Sequence, residues 1–239
     1  MKTLNAIVFF WVGPDVSIPT LLARSIRTAF GPDFNIIQLS DRSTPRVEGV
    51  TTQKQLKLSP HIMVARLEAY AALSITAPTL FLDADMLVLR PFDLPPLAEN
   101  EVGVTIRGKR DTVPFSVQDC AAFPEFAGKN IHDFMPYFYS FVYVRSPVLF
   151  VRQLNALRKL PKRFHRWYGD QVTLKSELDT SGRFVIQPFD INIYNRTVRS
   201  RREFEAIRGA PESVCVTHFK GGEESKRAMF ESLTLLEAG

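Results

Sequence analysis

Apolar runs and amphipathic stretches alternate along the N-terminal part of the chain. The runs at 5–13, 34–41 and 79–89 are rich in β-branched and aromatic residues, as buried strands are. Between them, the segments 15–31 and 59–75 space their apolar residues as amphipathic helices do. Strands that alternate with helices in this way favour a mainly parallel central sheet in a three-layer α/β arrangement. The pattern therefore predicts an α/β fold.

The predicted helix at 59–75 carries a cation among its apolar positions. Ser59 is expected to cap this helix, with Pro60 in its first turn. Arg66 lies within the apolar stripe formed by Ile62, Ala65, Ala69 and Leu73. A guanidinium in that place needs an anionic partner, such as Asp83 or a bound phosphate, unless it reaches solvent along its aliphatic stem.

The second half of the chain is less regular, but it also contains apolar runs typical of strands and amphipathic stretches typical of helices. Strands are predicted at 101–108, 137–146, 182–194 and 213–222, and helices at 146–160 and 169–178, the latter opened by Asp170. The last predicted strands are expected to close the sheet. No repeat, low-complexity tract or flexible linker separates the halves. We therefore predict a single domain over residues 1–239.

Composition places the chain among soluble globular proteins of ordinary size. Of its 239 residues, 45% are hydrophobic and 23% charged. The two cysteines, Cys120 and Cys215, argue against a disulfide framework and suit a reducing compartment. The sequence shows neither a secretory signal pattern nor an apolar stretch long enough to span a membrane. These features predict a cytoplasmic protein.

The net charge of +5 is concentrated in two basic segments, 159–169 and 196–208. Each segment is either a solvated face or a surface for an anionic acceptor or a phospholipid headgroup. Neither zinc-finger spacing nor an aromatic RNA-binding signature is present, so a nucleic-acid partner is not expected.

Two aspartates interrupt the apolar run "TLFLDADMLVLRPFD", which starts at Thr79. Asp83 and Asp85 flank a small alanine, so both carboxylates could reach one hard cation. Magnesium or manganese suits such oxygen ligands, and phosphate oxygens would complete the octahedron. The alternative is a polar turn between two strands.

This segment resembles the Asp-x-Asp motif of the GT-A fold nucleotide-sugar glycosyltransferases. The motifs further along the chain are similar to those of glycosyltransferase family 8, which includes bacterial lipopolysaccharide sugar transferases and glycogenin. The resemblance implies a GT-A fold, with a nucleotide-donor half at about 1–95 and an acceptor half at about 96–239. It also implies a Mn²⁺ or Mg²⁺ cofactor held by Asp83, Asp85 and His218, with Asp83 and Arg66 close to the donor.

The segment after His218 resembles the family's His-x-x-Gly motif and the lysine that follows it. Lys220 or Lys226 would hold the diphosphate, while Gly221 and Gly222 would let the backbone approach the phosphates. Glu224 stands where the family has its lysine. Both lysines therefore stay candidates.

Asp170 and Gln171 resemble the Asp-Gln pair that the family carries at the start of a helix facing the sugar donor. This implies a catalytic role, although Asp170 could also simply cap the helix. Asn192 is the matching candidate on the acceptor side. The chain departs from the family at Tyr139, Ser140 and Phe141, where an Asn-Ser-Gly motif is usual.

The resemblance implies metal-dependent transfer of a hexose-type sugar, with retention of configuration. The donor would be a nucleotide-diphosphate sugar, a UDP-sugar above all, and the acceptor a saccharide or lipid-linked glycan. The basic segments would provide peripheral membrane contact. Two alternatives stay open. One is a catalytically weak or inactive nucleotide- or glycan-binding module of the same fold, and the other is a haloacid-dehalogenase-type phosphatase, whose signature also contains Asp-x-Asp.

Overall fold

The computed structural model describes residues 4–108, 113–209 and 214–237. Ser213, the first residue of the last predicted strand, and the ends of the predicted 1–239 domain lie outside the described residues. The chain divides into two compact units built from interleaved segments. The first unit comprises Met1–Lys57, Ala77–Pro96 and Phe189–Gly239, and the second comprises Leu58–Thr76 and Leu97–Pro188.

Strands and helices are numbered in chain order. The strands are β1 (Ala6–Phe10), β2 (Asn35–Asp41), β3 (Thr52–Leu56), β4 (Thr79–Leu82), β5 (Met86–Val88), β6 (Glu101–Ile106), β7 (Tyr137–Val144), β8 (Val185–Phe189), β9 (Arg196–Thr197) and β10 (Val216–His218). The helices are α1 (Ser17–Phe30), α2 (Ile62–Ala71), α3 (Val117–Ala122), α4 (Ile131–Phe134), α5 (Val148–Leu157), α6 (Lys162–Arg166), α7 (Gly169–Thr180), α8 (Ile191–Tyr194), α9 (Arg201–Gly209) and α10 (Glu223–Glu237).

The first unit is built on a parallel sheet with the strand order β3-β2-β1-β4. Central strand β1 is buried along its whole length, and Ile7 pairs with Ile36 on one side and Leu80 on the other. A strand covered on both faces has to be apolar throughout, which is why its sequence shows no alternation. The predicted α/β class with a mainly parallel sheet is confirmed.

The first unit also contains a separate three-stranded sheet, with the strand order β5-β10-β9. The prediction that segment 213–222 closes the main sheet is wrong in this respect, because β10 pairs antiparallel with β5 and parallel with β9. The run that starts at Thr79 is two strands rather than one. Asp83 and Asp85 break it, since buried carboxylates do not fit the middle of an apolar strand. The chain turns there, and β5 leaves the main sheet.

Helices α1, α9 and α10 cover this small sheet in the first unit. Their buried cluster contains Ile18, Leu21, Leu87, Val198, Phe204, Phe219, Ala228, Met229 and Leu233. Two glutamates begin α10, where acidic side chains stabilise the positive end of a helix dipole.

The second unit contains the antiparallel pair β6–β7, with β8 beside β6, and the mutually packed helices α2, α5 and α7. Tyr70 stacks on Tyr139 and meets Phe150 edge to face. A second aromatic cluster joins α3, α6 and the start of α7, and contains Phe115, Phe123, Phe126, Phe164 and Tyr168.

Two predicted helix starts are wrong. Helix α2 begins at Ile62 with His61 in the capping position, and the Ser59 hydroxyl accepts the His61 N–H, which precedes the helix. Helix α7 begins at Gly169 with Tyr168 in the capping position, so Asp170 lies inside the first turn and is not the cap. In both cases the polar residue chosen from the sequence lies two residues from the geometric cap.

The predicted stripe on α2 is only partly buried. Ala65 and Ala69 are buried, whereas Ile62 is exposed, because the helix packs through Met63, Leu67 and Tyr70 as well. Among the described residues, no helix is both long and apolar enough to cross a membrane.

A candidate metal centre and a buried ion pair

Asp83, Asp85 and His218 come together in the first unit. One ligand atom from each lies within 4.8 Å of the others. The two aspartates occupy the turn between β4 and β5, and His218 ends β10. The β5–β10 register pairs His218 with Met86, and the Phe219 N–H donates to the Asp85 carbonyl at 2.9 Å. The pairing of β10 with β5 therefore places His218 beside two aspartates that lie more than a hundred residues earlier in the sequence.

His218 is held between two side-chain oxygens. Its Nε2 lies 3.2 Å from Asp85 Oδ1, and its Nδ1 lies 2.9 Å from Asn195 Oδ1. His218 and Asn195 are each only 1% exposed. Asn195 was not among the candidates predicted from the sequence, because a single asparagine after an apolar stretch carries no signal of its own.

The electrostatic surroundings keep Asp85 ionised. Burial would raise the pKa of its carboxyl, but the positive charge that His218 carries when its ring holds both protons and, to a smaller extent, Lys220 more than offset this, so the pKa lies below its ordinary value. An ionised carboxylate is the form that binds a cation.

The donor set fits a hard divalent ion. Ligands on opposite sides of a Mg²⁺ or Mn²⁺ octahedron stand about 4.2 Å apart, so small side-chain rotations would bring these three atoms onto one ion. Two carboxylates and an imidazole suit Mn²⁺ better than Mg²⁺, which takes oxygen ligands almost exclusively. Asp83 and Asp85 do lie in a turn between two strands, and this turn holds both carboxylates near His218.

The lysine-glycine segment leads from His218 into α10. Lys220 is half-buried and acts electrostatically on Asp85, whereas Lys226 is exposed in the first turn of α10. Gly221 has a φ of 130°, and a Cβ there would stand 3.0 Å from the hydroxyl of Ser225. This turn therefore needs glycine for its conformation. Phosphate binding by these residues stays a prediction.

Asp170 and Arg66 form a buried ion pair in the second unit. The Arg66 Nη1 donates to Asp170 Oδ2 at 2.9 Å, and Asp170 Oδ1 accepts the Gln171 N–H at 2.8 Å. The Asp170 residue is 3% exposed, and the Arg66 side chain is 19% exposed. Arg66 therefore has an anionic partner in Asp170, which was not one of the partners proposed from the sequence, and its contact with a donor stays a prediction. Sequence spacing could not reveal the ion pair, since the two residues are on different helices.

A close approach of backbones places Asp170 at this buried position. A Cβ on Gly169 would lie 2.1 Å from the Phe164 carbonyl oxygen and 2.4 Å from Leu157 Cδ1, so only glycine fits. Tyr168 adopts a left-handed φ of 63°, and its hydroxyl donates to Asp119 at 2.9 Å. A non-glycine residue in this region costs about 1–3 kcal/mol and is held there by its surroundings.

Neighbouring polar groups fix the rest of the helix start. Gln153 Nε2 donates to the Asp170 carbonyl at 3.2 Å, and Arg107 Nη2 donates to Gln171 Oε1 at 3.4 Å. The Arg66 guanidinium lies 5.6 Å from the ring centre of Tyr139, which stands where the resembling family has asparagine. Tyr139 therefore makes a cation–π contact with the arginine of this ion pair.

Asn192 lies at the surface of the first unit. It is exposed on α8, and its Oδ1 accepts a hydrogen bond from Arg196 at 2.8 Å. It lines an open cavity of about 550 Å³ together with Arg196, Arg199 and Ile207. Its assignment to the acceptor side stays a prediction.

Comparison with known proteins finds relatives only at the level of structure. No family model and no curated protein matches the sequence. The galactosyltransferase LgtC, solved in complex with donor and acceptor sugar analogs, matches at a TM-score of 0.56 and 15% identity, over 98% of this chain and 95% of LgtC. The bifunctional glycosyltransferase WbbM matches at 0.57 and 12% identity, over 98% of this chain and 50% of WbbM. The glycosyltransferase GlyE of Streptococcus pneumoniae TIGR4 matches at 0.57 and 12% identity, over 98% and 62%.

Each of these matches extends over nearly the whole chain, at an identity that establishes the fold alone. The chain has the fold of these glycosyltransferases, and the prediction of a GT-A-type α/β fold is confirmed.

Proposed function

We propose that the protein is a metal-dependent glycosyltransferase that moves a hexose-type sugar from a nucleotide-diphosphate sugar to a saccharide or lipid-linked glycan. One observation carries this proposal. Asp83, Asp85 and His218 converge in a chain that has the glycosyltransferase fold. Two carboxylates and an imidazole bind a divalent ion, and such an ion binds diphosphate oxygens in turn.

The metal would be Mn²⁺ or Mg²⁺. When bound, it would act as a Lewis acid and neutralise charge that develops on the departing diphosphate. Lys220 would add a fixed positive charge beside Asp85, and the turn at Gly221 and Gly222 would let backbone N–H groups approach the phosphates. The exposed Lys226 could take the more distant phosphate.

Asp170 and Gln171 are the candidates for contact with the sugar. Both carboxylate oxygens of Asp170 already accept hydrogen bonds, from Arg66 and from the Gln171 N–H. These hydrogen bonds hold the ionised carboxylate in place, where its fixed negative charge would stabilise positive charge on the sugar. The more accessible Gln171 amide would contact the sugar directly.

The acceptor would be recognised through the basic surfaces. Arg196 and Arg199 line the cavity beside Asn192, and the α6 segment presents Lys162 and Arg166 to solvent. These cations favour an acceptor that carries phosphate or carboxylate groups, or a membrane surface that holds a lipid-linked acceptor. A UDP-sugar is the expected donor.

A binding module without turnover is the second candidate. Tyr139 and Phe141 replace the asparagine and glycine of the resembling family, and both are buried aromatic residues. They leave less room, and one side-chain amide fewer, than the family motif would provide. The fold disfavours the phosphatase, whose Asp-x-Asp would belong to a different architecture.

A panel of nucleotide sugars tests the proposal. Thermal shift with and without Mn²⁺ should identify a donor, and a ligand at a hundredfold its Kd should stabilise by about 2.7 kcal/mol. Mass spectrometry should then detect a glycosylated acceptor or hydrolysed donor. Metal-dependent nucleotide binding without any turnover would support the binding module, and full donor affinity in chelator would refute the metal centre.

A further inference from the structure

We infer that Asn195 is a positioning residue for the metal ligand His218, which selects the imidazole tautomer that can bind the ion. This inference rests on the metal centre of the proposed function. Asn195 Oδ1 lies 2.9 Å from His218 Nδ1, and both residues are almost completely buried. A buried polar contact of this kind is shielded from water, so the choice of partner decides where the imidazole proton sits.

The contact leaves Nε2 as the nitrogen that faces the aspartates. A neutral imidazole has one donor and one acceptor nitrogen. Because the Asn195 oxygen only accepts, Nδ1 carries the proton, and Nε2 presents its lone pair at 3.2 Å from Asp85 Oδ1. Two acceptors at that separation repel each other, unless the ring carries a second proton or a cation lies between them. A divalent ion bound by both atoms would remove this repulsion.

The backbone holds Asn195 where this contact is made. Asn195 follows α8 directly, and its N–H donates to the Ile191 carbonyl at 3.0 Å. The next residues form β9, whose Thr197 pairs with His218 of β10. Strand pairing therefore keeps the amide beside the imidazole, independently of any ion.

The opposite orientation of the Asn195 amide would favour the other tautomer of His218. If the Asn195 NH₂ group faced Nδ1, then Nε2 would carry the proton and donate it to Asp85, and the histidine would be unavailable as a ligand. Aspartate at position 195 has no NH₂ group, so it can only favour the ligand tautomer. The substitution Asn195→Asp therefore separates the two arrangements, while Asn195→Leu removes the hydrogen bond at similar volume.

The test is the affinity for Mn²⁺ alone, measured by the electron paramagnetic resonance signal of the free ion. Loss of such a supporting hydrogen bond typically costs about 10–100-fold in metal affinity, and we expect this loss for Asn195→Leu and Asn195→Ala. Asn195→Asp should bind at least as tightly as the natural protein. Unchanged affinity in the leucine and alanine variants, or an equal loss in the aspartate variant, would overturn the inference.

Two further measurements separate this role from a general loss of stability. Gln38→Leu removes another fully buried amide of the first unit, one that bonds to Pro45 O and Val47 N, and it should leave the Mn²⁺ affinity unchanged. In the Mg²⁺-loaded protein, ¹⁵N spectra of histidine should show the His218 proton on Nδ1, with His218→Ala assigning the signal. A proton on Nε2 contradicts the inference.

The same titration distinguishes the two proposals. If Asp85→Asn and His218→Ala leave Mn²⁺ affinity intact, the metal centre itself is wrong. If they abolish binding while the Asn195 series has no effect, only the role of Asn195 fails.

Discussion

Asp170 and Arg66 are the residues whose interaction can be measured most directly. Removing one partner of a buried ion pair typically costs about 3–5 kcal/mol, because the other charge stays buried. Since Arg66 is 19% exposed, we expect the lower end for Asp170→Asn, about 3 kcal/mol in urea unfolding. The double variant Arg66→Met with Asp170→Leu should be far less destabilised than the sum of the losses in Arg66→Met alone and Asp170→Leu alone. Additive losses would show that the pair contributes little.

The same variant probes catalysis. If the Asp170 charge stabilises the sugar in the transition state, Asp170→Asn should reduce turnover by at least about a hundredfold, which is roughly 2.7 kcal/mol of barrier. Donor affinity, measured at a temperature where the variant is fully folded, should change far less. Lys175→Gln breaks an exposed pair with Asp179 on the same helix and serves as the control. Turnover that survives Asp170→Asn would reduce the ion pair to a structural role.

Among the elements, α6 has the composition of a membrane-surface contact. Lys162 and Arg166 are exposed, and Trp167, which follows directly, is 56% exposed. Tryptophan beside basic residues binds the interface of an anionic bilayer through both its ring and the neighbouring charges. We expect co-sedimentation with vesicles that contain phosphatidylserine, weakened by salt and by Trp167→Ala. Phe230→Ala on α10 removes another exposed aromatic side chain and should have no effect. Equal binding to neutral vesicles would contradict the electrostatic part.

The end of β2 gives a prediction of pH dependence. The Thr44 hydroxyl, together with further hydrogen bonds from Ser43 and Thr44, lowers the pKa of Asp41 below its ordinary value. A depressed folded-state pKa means that the contribution to stability is present above the unfolded-state value of about 3.9 and is lost as pH falls through the folded-state value. Asp41→Asn should therefore destabilise near neutral pH and have a smaller effect near pH 3 in urea unfolding. A loss that does not depend on pH would show that the carboxylate charge is irrelevant there.

For the whole molecule, the metal should matter for binding and not for folding. The buried parallel sheet and the apolar cluster of the first unit contain none of the metal ligands. We expect chelation to leave the circular dichroism spectrum unchanged and to shift the Tm by no more than about 2–4 °C, the equivalent of 1 kcal/mol in a chain of this size. Adding the donor nucleotide with Mn²⁺ should raise the Tm further. Unfolding in chelator would make the site a structural one.

Local periodicity in the sequence was sufficient to predict most of the regular elements. The strands β1 and β2 and the helices α1 and α5 follow from apolar spacing, because each buries one face or both within its own segment. Strand β3 ("TQKQL") was missed, since it carries no apolar pattern and forms only by pairing with β2. The two-residue strand β9 likewise exists only through its pairing with β10.

The residues of the candidate site were likewise predictable from the sequence only in part. The two close aspartates indicated a cation site by their residue type, and the resemblance to the glycosyltransferase family added His218, which the structure brings to the same cluster. The partners of His218 and Arg66 were decided by tertiary structure alone. Asn195 reaches His218 through the pairing of β9 with β10, and Asp170 reaches Arg66 because Gly169 lets two backbones meet. Such contacts depend on distant segments that pack together, and no local pattern in the sequence records them.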